Sequence, residues 1–263
     1  MRIHAQADLA YQFDVASEVL LLIEAARTPA QTIMRERFHI SPAIELYRKD
    51  DAFTGERRVM FAAQGLVEIR YEVEIERSET VGVLAGLRQN AMHELPAEAL
   101  PYLNASPYCP MGRFHPFVAR EFGALRGGDA AAAILAWIAR EVDYRLGVSD
   151  SQTTALDTFV DRAGVCRDFT HLAITLLRAV GIPARAVSAY ACDLDPPDMH
   201  AVAELYLQDS WRLIDPSGKA PLTGLVRVAT GRDAADIAFM SIFGQGRLIR
   251  QSFSAERSQA LAA

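Results

Sequence analysis

The sequence predicts an α+β fold in which an N-terminal β-sandwich precedes a core made of a helix packed on an antiparallel sheet. Three observations support this prediction. Alternating apolar and polar residues dominate the first 100 positions, an apolar stripe at helical spacing follows Cys166, and two strand-like runs come after that stripe. With 263 residues the chain is long enough for two modest domains, which we place at residues 1–100 and 101–263.

Composition and charge narrow the possible classes of function. The chain is 51% hydrophobic and 23% charged, with a net charge of −6 and an isoelectric point near 5.6. It has no basic block and no apolar run of membrane-spanning length, so we expect neither a nucleic-acid nor a membrane partner. Three cysteines and the lack of a signal-peptide core predict free thiols in a reducing cytoplasm. No feature indicates an oligomeric state.

Five strand-like runs, separated by proline, aspartate and glycine residues, occupy the N-terminal region. In the clearest, Val67–Glu76, apolar residues alternate with charged ones, as in an antiparallel strand with one solvated face. Several such strands favour a β-sandwich. We expect each of the following runs to form a separate strand: HAQADLAYQFDV, VLLLIEAA, MRERFHISP, RVMFAAQG and VEIRYEVEIERSE.

Residues 78–116 are rich in proline and predict an irregular linker. The linker contains Cys109 and His115, whose residue types alone would suit a catalytic pair. No helix start follows Cys109, and Pro110 lacks the N–H donor that an oxyanion would need beside the thiol, so we place no catalysis there. Beyond the linker, Asp129 is the expected N-cap of a helix through AAAAILAWIAREVDYRL.

Cys166 begins the most regular amphipathic helix of the chain. The apolar residues of CRDFTHLAITLLRAV recur at helical spacing, and Gly181 and Pro183 end the helix. Cys166 therefore lies in the first turn, where unpaired N–H groups and the positive helix end stabilise both a thiolate and an oxyanion. Position alone is equally compatible with a small buried hydrophobic residue, which is the usual role of a free cysteine.

Two strand-like runs after this helix carry a histidine and an aspartate. His200 lies in MHAVAELYL and Asp215 is the last strand residue of WRLIDP. Neighbouring antiparallel strands can bring these side chains together, so that the carboxylate orients the imidazole. A two-residue turn at Asp209–Ser210 would pair Asp215 with Glu204, at least one same-face step from His200, so we expect a bulge or a shorter loop between the strands.

Two other arrangements of reactive residues fit the sequence less well. His171 lies five positions after Cys166, about 140° around a helix of 3.6 residues per turn, and cannot easily reach the thiol. A zinc site made of Cys166, Cys192 and His200 matches none of the usual ligand spacings. We therefore expect no metal and no organic cofactor.

The segments GVCRDFTHLAITLLRAVGIPAR, HAVAELYL and WRLIDP together resemble the transglutaminase-like superfamily of papain-type cysteine enzymes, in its bacterial branch. The resemblance implies a papain-like core behind an N-terminal β domain, with the nucleophile at Cys166, the base at His200 and the orienting aspartate at Asp215. It also implies that a polar side chain upstream of the nucleophile completes an oxyanion hole. Tyr144 and Gln152 are the candidates, and packing or helix capping is the alternative role for both.

A cysteine at a helix start, a histidine on a strand and an aspartate at the end of the next strand predict covalent acyl transfer on peptide or protein amides. We expect a peptidase or amidase that acts by hydrolysis, because Val202 stands where many family members have tryptophan after His-Ala. Protein-glutamine transamidation and a catalytically silent protein-interaction module are the alternatives.

Overall fold

The structure, a computed structural model, describes residues 1–78 and 82–257. Residues 79–81, which close the last predicted N-terminal strand and open the predicted linker, lie outside the described residues. The region before residue 78 is rich in strands, as predicted, and its two longest strands alternate buried and solvent-facing positions. Its strands are β1 (Arg2–Leu21), β2 (Gln31–Ser41), β3 (Tyr47–Asp50) and β4 (Arg57–Arg77).

β1 and β4 are single strands of 20 and 21 residues, so the prediction of two separate strands within each is wrong. An irregularity in pairing between Phe13 and Ser17 takes the place of the expected break in β1. In β4, Gly65 pairs with Phe13 and has a φ of +80°, a left-handed conformation that glycine adopts without steric cost. The two strands therefore bend together while their pairing continues on both sides.

The next part of the chain is helical. The helix around Asp129 begins at Gly127, so Asp129 is not its N-cap. It lies in the first turn instead, where its Oδ1 accepts a hydrogen bond from the Gly86 N–H at 2.9 Å. The elements are α1 (His115–Phe122), α2 (Gly127–Glu141), β5 (Asp143–Tyr144), α3 (Ala155–Asp161), β6 (Ala163–Gly164) and α4 (Cys166–Ala179), with β5 and β6 paired in parallel.

A second antiparallel sheet follows α4 and has the order β10-β7-β8-β9. α4 packs against β7 and β8, and every residue from Asp168 to Arg178 is buried. This arrangement confirms the predicted core, in which the Cys166 helix packs on an antiparallel sheet. The strands are β7 (Ala184–Ala191), β8 (Met199–Leu207), β9 (Ser210–Ile214) and β10 (Leu225–Gly231).

The C-terminal segment returns to the N-terminal sheet. After α5 (Ala234–Ile237), strands β11 (Met240–Phe243) and β12 (Arg247–Arg257) both pair with β1. The strands that were predicted to form a β-sandwich therefore belong, with β11 and β12, to one hydrogen-bonded sheet of six strands. On one side of the bend the strand order is β12-β1-β4-β2. On the other side it is β11-β1-β4-β3. The domain boundary at residue 100 stays a prediction.

The two sheets share one apolar core. Phe253 of β12 lies 6.3 Å from Tyr190 of β7, measured between ring centroids, and the Tyr190 hydroxyl donates to the Ile23 carbonyl at 2.7 Å. Through these contacts Tyr190 of the second sheet packs on residues of the six-stranded sheet and of the segment that follows β1. Over the described ranges no single helix has the length and hydropathy to cross a membrane, and α1 and α2 meet that criterion only as a pair bent by 105°.

Candidate active site

Cys166 is the first residue of α4, as the sequence predicts, and its side chain is half-buried. The N–H of Val165, just before the helix, donates to Oδ2 of Asp168 at 2.8 Å, so a carboxylate of the first turn stabilises the helix start. The thiol lies at the positive end of the helix dipole.

His200 and Asp215 meet beside the start of α4. His200 is the second residue of β8, and Asp215 directly follows β9. Nε2 of His200 lies 2.9 Å from Oδ2 of Asp215, and each side chain is at most 3% exposed. The structure therefore brings together the imidazole and the carboxylate that the sequence pattern singled out.

The turn between β8 and β9 comes one residue earlier than expected. Gln208 and Asp209 have φ angles of +49° and +62°, as in a tight two-residue hairpin turn, and Leu207 pairs with Ser210. The turn lies within the expected range of Gln208–Ser210, and the simple two-residue turn at Asp209–Ser210 does not form. The physical reason is tertiary, because the Asn90 side chain donates to Oδ1 of Asp209 at 2.7 Å and accepts from its N–H at 3.3 Å.

This turn moves Asp215 two positions along β8 relative to the expected register. The observed β8–β9 pairing, continued by one residue, places Asp215 opposite Val202 and not opposite Glu204. His200 then lies one same-face step away, a diagonal that long side chains span. The pairing between β8 and β9 contains no bulge.

The loop after β9 holds the Asp215 carboxylate in place. Oδ1 accepts hydrogen bonds from the Ser217 hydroxyl at 2.7 Å and the Ser217 N–H at 2.9 Å, and Oδ2 accepts one from the Ala220 N–H at 3.0 Å. Sequence reasoning missed Ser217 as a partner. The signal was present, since Asp-Pro-Ser suits a turn in which an aspartate binds the N–H two residues on.

The environment of His200 favours its charged form. Burial disfavours the imidazolium, but the hydrogen bond to Asp215 and the neighbouring Cys166 thiol outweigh burial and raise the pKa of His200 to about 9. Burial would raise the pKa of Asp215, and the hydrogen bond to His200 lowers it instead. Because Asp215 occupies Nε2, and Nδ1 has no hydrogen-bond partner in the described residues, Nδ1 is the nitrogen open to the thiol.

Cys166 lies between two cavities. The first, which we call the C-terminal cavity, has a volume of about 460 Å³ and is lined by His200, by parts of β7 and β8 and by the segment 234–240. The second, the loop cavity, has a volume of about 470 Å³ and is lined by Tyr144 and the loop 194–196. A molecule that crosses the thiol can therefore occupy one cavity on each side.

Of the two oxyanion candidates, only Tyr144 contacts Cys166. Burial and the adjacent thiol raise the pKa of Tyr144 to about 12, and its hydroxyl also interacts with the Cys166 backbone N–H. Gln152 is exposed, its N–H donates to Oδ1 of Asp150 at 2.8 Å, and it lines neither cavity. The structure thus places Tyr144 beside Cys166 and Gln152 outside both cavities.

The other reactive residue types support the fold. Nε2 of His171 accepts from the Ala234 N–H at 3.1 Å, and burial lowers the pKa of His171 to about 4, so it is neutral near pH 7. Burial raises the pKa of the Cys109 and Cys192 thiols to about 11 each. In the two described ranges, no three His, Cys, Asp or Glu residues form a group suited to a metal ion.

Sequence reasoning did not single out two cations beside the thiol. Arg167 lines the C-terminal cavity, and its Nη2 lies 2.9 Å from Oδ1 of Asp168. Lys219 lines the loop cavity, with Nζ 4.6 Å from the centroid of the Tyr144 ring. Arg167 was accessible from the sequence because it follows the nucleophile on the same helix. Lys219 lies in an irregular loop, whose position cannot be predicted from the periodicity of apolar residues.

Comparison with known proteins begins with family models. Residues 117–216 match the model described as the transglutaminase-like superfamily. Residues 1–82 match the model described as the bacterial transglutaminase N-terminal domain. The first match contains the helix, the strands and the loop that carry Cys166, His200 and Asp215, and the second covers most of the six-stranded sheet.

A solved structure and two curated relatives extend the comparison. The crystal structure of a candidate cysteine protease from Cytophaga hutchinsonii is 33% identical, with a TM-score of 0.93, over 99% of this chain and 91% of that one. The uncharacterized proteins ML0607 of Mycobacterium leprae and Rv2569c of Mycobacterium tuberculosis are 31% and 32% identical over 130 and 109 residues. The chain spans only 45% and 35% of their lengths. Because the solved relative matches over nearly its whole length and both family models occur in order, the chain belongs to the transglutaminase-like superfamily.

Proposed function

We propose that this protein hydrolyses amide bonds with a catalytic triad of Cys166, His200 and Asp215. The observation that carries the proposal is the 2.9 Å contact between His200 and Asp215 beside a thiol at a helix start. Family membership and the relative from Cytophaga hutchinsonii support a cysteine-dependent enzyme. No cofactor takes part in the proposed reaction.

The first half of the reaction forms a thioester. Cys166 gives its proton to His200, and the thiolate attacks the amide carbonyl to form a carbon–sulfur bond and a tetrahedral oxyanion. The oxyanion then collapses, the carbon–nitrogen bond breaks, and the His200 imidazolium gives its proton to the departing nitrogen. Asp215 holds the imidazole in the correct orientation and stabilises its charged form.

Tyr144 and the helix start stabilise the oxyanion in this scheme. The Tyr144 hydroxyl interacts with both the thiol and the N–H of Cys166. An oxyanion formed on the cysteine therefore has two donors available, one hydroxyl and one backbone N–H, at the positive end of α4. Because the pKa of Tyr144 is about 12, its hydroxyl keeps its proton at neutral pH and can donate.

Water completes the cycle. His200, now neutral, takes a proton from a water molecule, and the resulting hydroxide attacks the thioester carbon. The carbon–sulfur bond breaks, a carboxylic acid leaves, and the thiolate–imidazolium pair is restored. We propose peptide or protein amides as substrates, because the two cavities leave room for chain on both sides of the thiol. We propose the reducing cytoplasm as the location, where an unpaired thiol stays active.

The test is a library of peptide and simple amides assayed for released amine or ammonia. We expect wild-type protein to cleave a subset of the library and Cys166→Ala to cleave none of it. Cys192→Ala is the matched control, because this buried cysteine lines neither cavity and its replacement should leave cleavage intact. Equal turnover by wild type and Cys166→Ala would end the proposal.

The same assay separates hydrolysis from the alternatives. A primary amine added to a cleaved substrate would appear in the product if the thioester were released by transamidation, and we expect the free acid to dominate. A silent interaction module would show neither product.

A further inference from the structure

The C-terminal cavity contains a buried hydroxyl that forms no hydrogen bond within the described chain. Ser188 of β7 lines this cavity and is 6% exposed, and its Oγ has no partner among the described residues. Buried polar groups are almost always hydrogen-bonded, because an unpaired one costs free energy. A serine hydroxyl supplies one donor and two acceptor sites, which here remain available to a ligand.

The walls around Ser188 are otherwise mainly apolar. Ile237 ends α5, Phe239 follows it and Met240 begins β11, and all three line the cavity. Two charged side chains also line the cavity: Arg167, which is paired with Asp168 at 2.9 Å, and the exposed Asp198, whose Oδ1 accepts from the Met199 N–H. The cavity therefore suits a group with an apolar body and a polar atom directed at Ser188.

The positions of His200 and Tyr144 determine which part of a substrate enters each cavity. His200, which protonates the departing nitrogen, lines the C-terminal cavity, whereas Tyr144, which stabilises the oxyanion, lines the loop cavity. A tetrahedral intermediate on Cys166 therefore directs its carbon–nitrogen bond towards the C-terminal cavity. Its acyl chain then extends into the loop cavity on the other side.

We infer that the C-terminal cavity selects the amine portion of the substrate, an amino-acid residue with an apolar side chain whose carbonyl oxygen accepts a hydrogen bond from Ser188. This inference rests on the proposed function, because it uses the roles of His200 and Tyr144 in amide cleavage. Ser188 touches the departing residue but not the reacting atoms, so it determines specificity and is not a catalytic residue.

Three substrates with one common acyl group test the inference. The departing groups are ammonia, 3-methylbutylamine and leucinamide, which add first an apolar chain and then a carbonyl. We expect kcat/KM to rise at least ~10-fold from ammonia to 3-methylbutylamine, because the apolar walls bind the chain. We expect a further rise of roughly 10-fold for leucinamide, from the hydrogen bond to Ser188.

Substitutions test which residue produces each increase in kcat/KM. Ser188→Ala should lower the leucinamide-to-methylbutylamide ratio of kcat/KM about 10-fold. The exposed Ser254 of β12 provides the matched control, Ser254→Ala, which should preserve the ratio. Met240→Asp should lower the methylbutylamide-to-ammonia ratio, whereas Phe243→Asp, on the same strand but 68% exposed and outside the cavity, should not.

Two further measurements distinguish a role of Ser188 in specificity from a role in stability, and distinguish failure of this inference from failure of the proposed function. Because the Ser188 hydroxyl has no partner in the described protein, Ser188→Ala should keep or raise Tm, and a fall of several degrees would indicate a structural role and overturn the inference. Cleavage of all three amides at equal rates would overturn the inference but not the proposed function. If no amide were cleaved, titration of leucinamide into Cys166→Ala and Cys166→Ala/Ser188→Ala would still test the cavity, and equal affinities would reject it.

Discussion

Nε2 of His200 lies 2.9 Å from Oδ2 of Asp215, although the two residues do not face each other in the sheet. A hairpin turn leaves them a diagonal step apart, and hydrogen bonds from Ser217 to Oδ1 and from Ala220 to Oδ2 hold the carboxylate in place. A carboxylate fixed in this way can orient the imidazole before a substrate arrives, which is the requirement for a preorganised catalytic pair.

The three cysteines should differ strongly in reactivity. Burial raises the pKa of Cys109 and Cys192 to about 11, whereas Cys166 lies at a helix start and lines both cavities. Relative to an ordinary thiol, this pKa lowers the thiolate fraction at neutral pH by roughly 100-fold. We expect iodoacetamide to modify Cys166 first, as measured by peptide mass spectrometry over time. Unfolded protein, in which all three react alike, is the control, and equal rates in the folded protein would contradict the prediction.

Activity should fall at alkaline pH. The thiolate–imidazolium pair requires a protonated His200, whose pKa is about 9, so kcat/KM should decrease as pH rises through 9. Asp215→Asn removes the charge that raises this pKa while burial still lowers it, so the falling limb should move to lower pH and activity should drop. A pH profile of both proteins measures the shift. An unchanged limb in Asp215→Asn would show that Asp215 does not control the imidazole.

Stability should follow the same titration with a defined sign. The folded-state pKa of His200, about 9, lies above its ordinary value of 6.5, so the stabilisation by this group is complete below pH 6.5 and is lost as pH rises through 9. The advantage of wild type over Asp215→Asn in urea unfolding should therefore shrink between pH 6.5 and pH 9. An advantage that grows over this range would contradict the assigned charge of His200.

Tyr144→Phe should reduce kcat with little change in KM. The substitution removes one of the two donors proposed for the oxyanion, which develops only in the transition state, so kcat should fall roughly 100-fold. Steady-state kinetics at saturating substrate measure the loss. Tyr206→Phe is the matched control, because Tyr206 packs on Trp211 and lines neither cavity. A rise in KM at constant kcat would indicate that Tyr144 binds the ground state instead.

Arg178→Met should destabilise the fold. This arginine is 2% exposed, and its guanidinium donates to the carbonyl oxygens of Ala184, Asn104 and Arg232 and to the hydroxyl of Ser106, at 2.6 to 3.0 Å. Methionine fills similar space but leaves these acceptors unpaired, so the free energy of unfolding should fall by about 3 kcal/mol or more.

Chemical denaturation measures this loss. Arg140→Met serves as the comparison, because Arg140 is 66% exposed and forms only a surface ion pair with Glu141, worth about 1 kcal/mol at most. Equal stability of the two variants would show that Arg178 does not join the linker to the core.

Local sequence signals correctly predicted the helix that begins at Cys166 and the two strands β8 and β9. A capped amphipathic helix is specified by neighbours three and four positions apart, so Cys166 at its first turn was readable from the sequence. The exact register of β8 and β9 was not, because Asn90 from the linker binds Asp209 and sets the turn at Gln208–Asp209. A shift of two residues in the pairing of two strands leaves the same side chains on the same face, so the alternation of polar and apolar residues does not distinguish the two registers.

By itself, then, the sequence determined the order Cys166, His200 and Asp215, the helix and the strand that carry the first two, and the family to which these segments point. Only the tertiary structure decided that Tyr144 rather than Gln152 contacts the thiol, and that β11 and β12 return to β1 and complete a cavity around Ser188. The reason is physical. The periodicity of apolar residues indicates which face of a helix or strand is buried. The element that packs against this face depends on contacts between segments far apart in the chain.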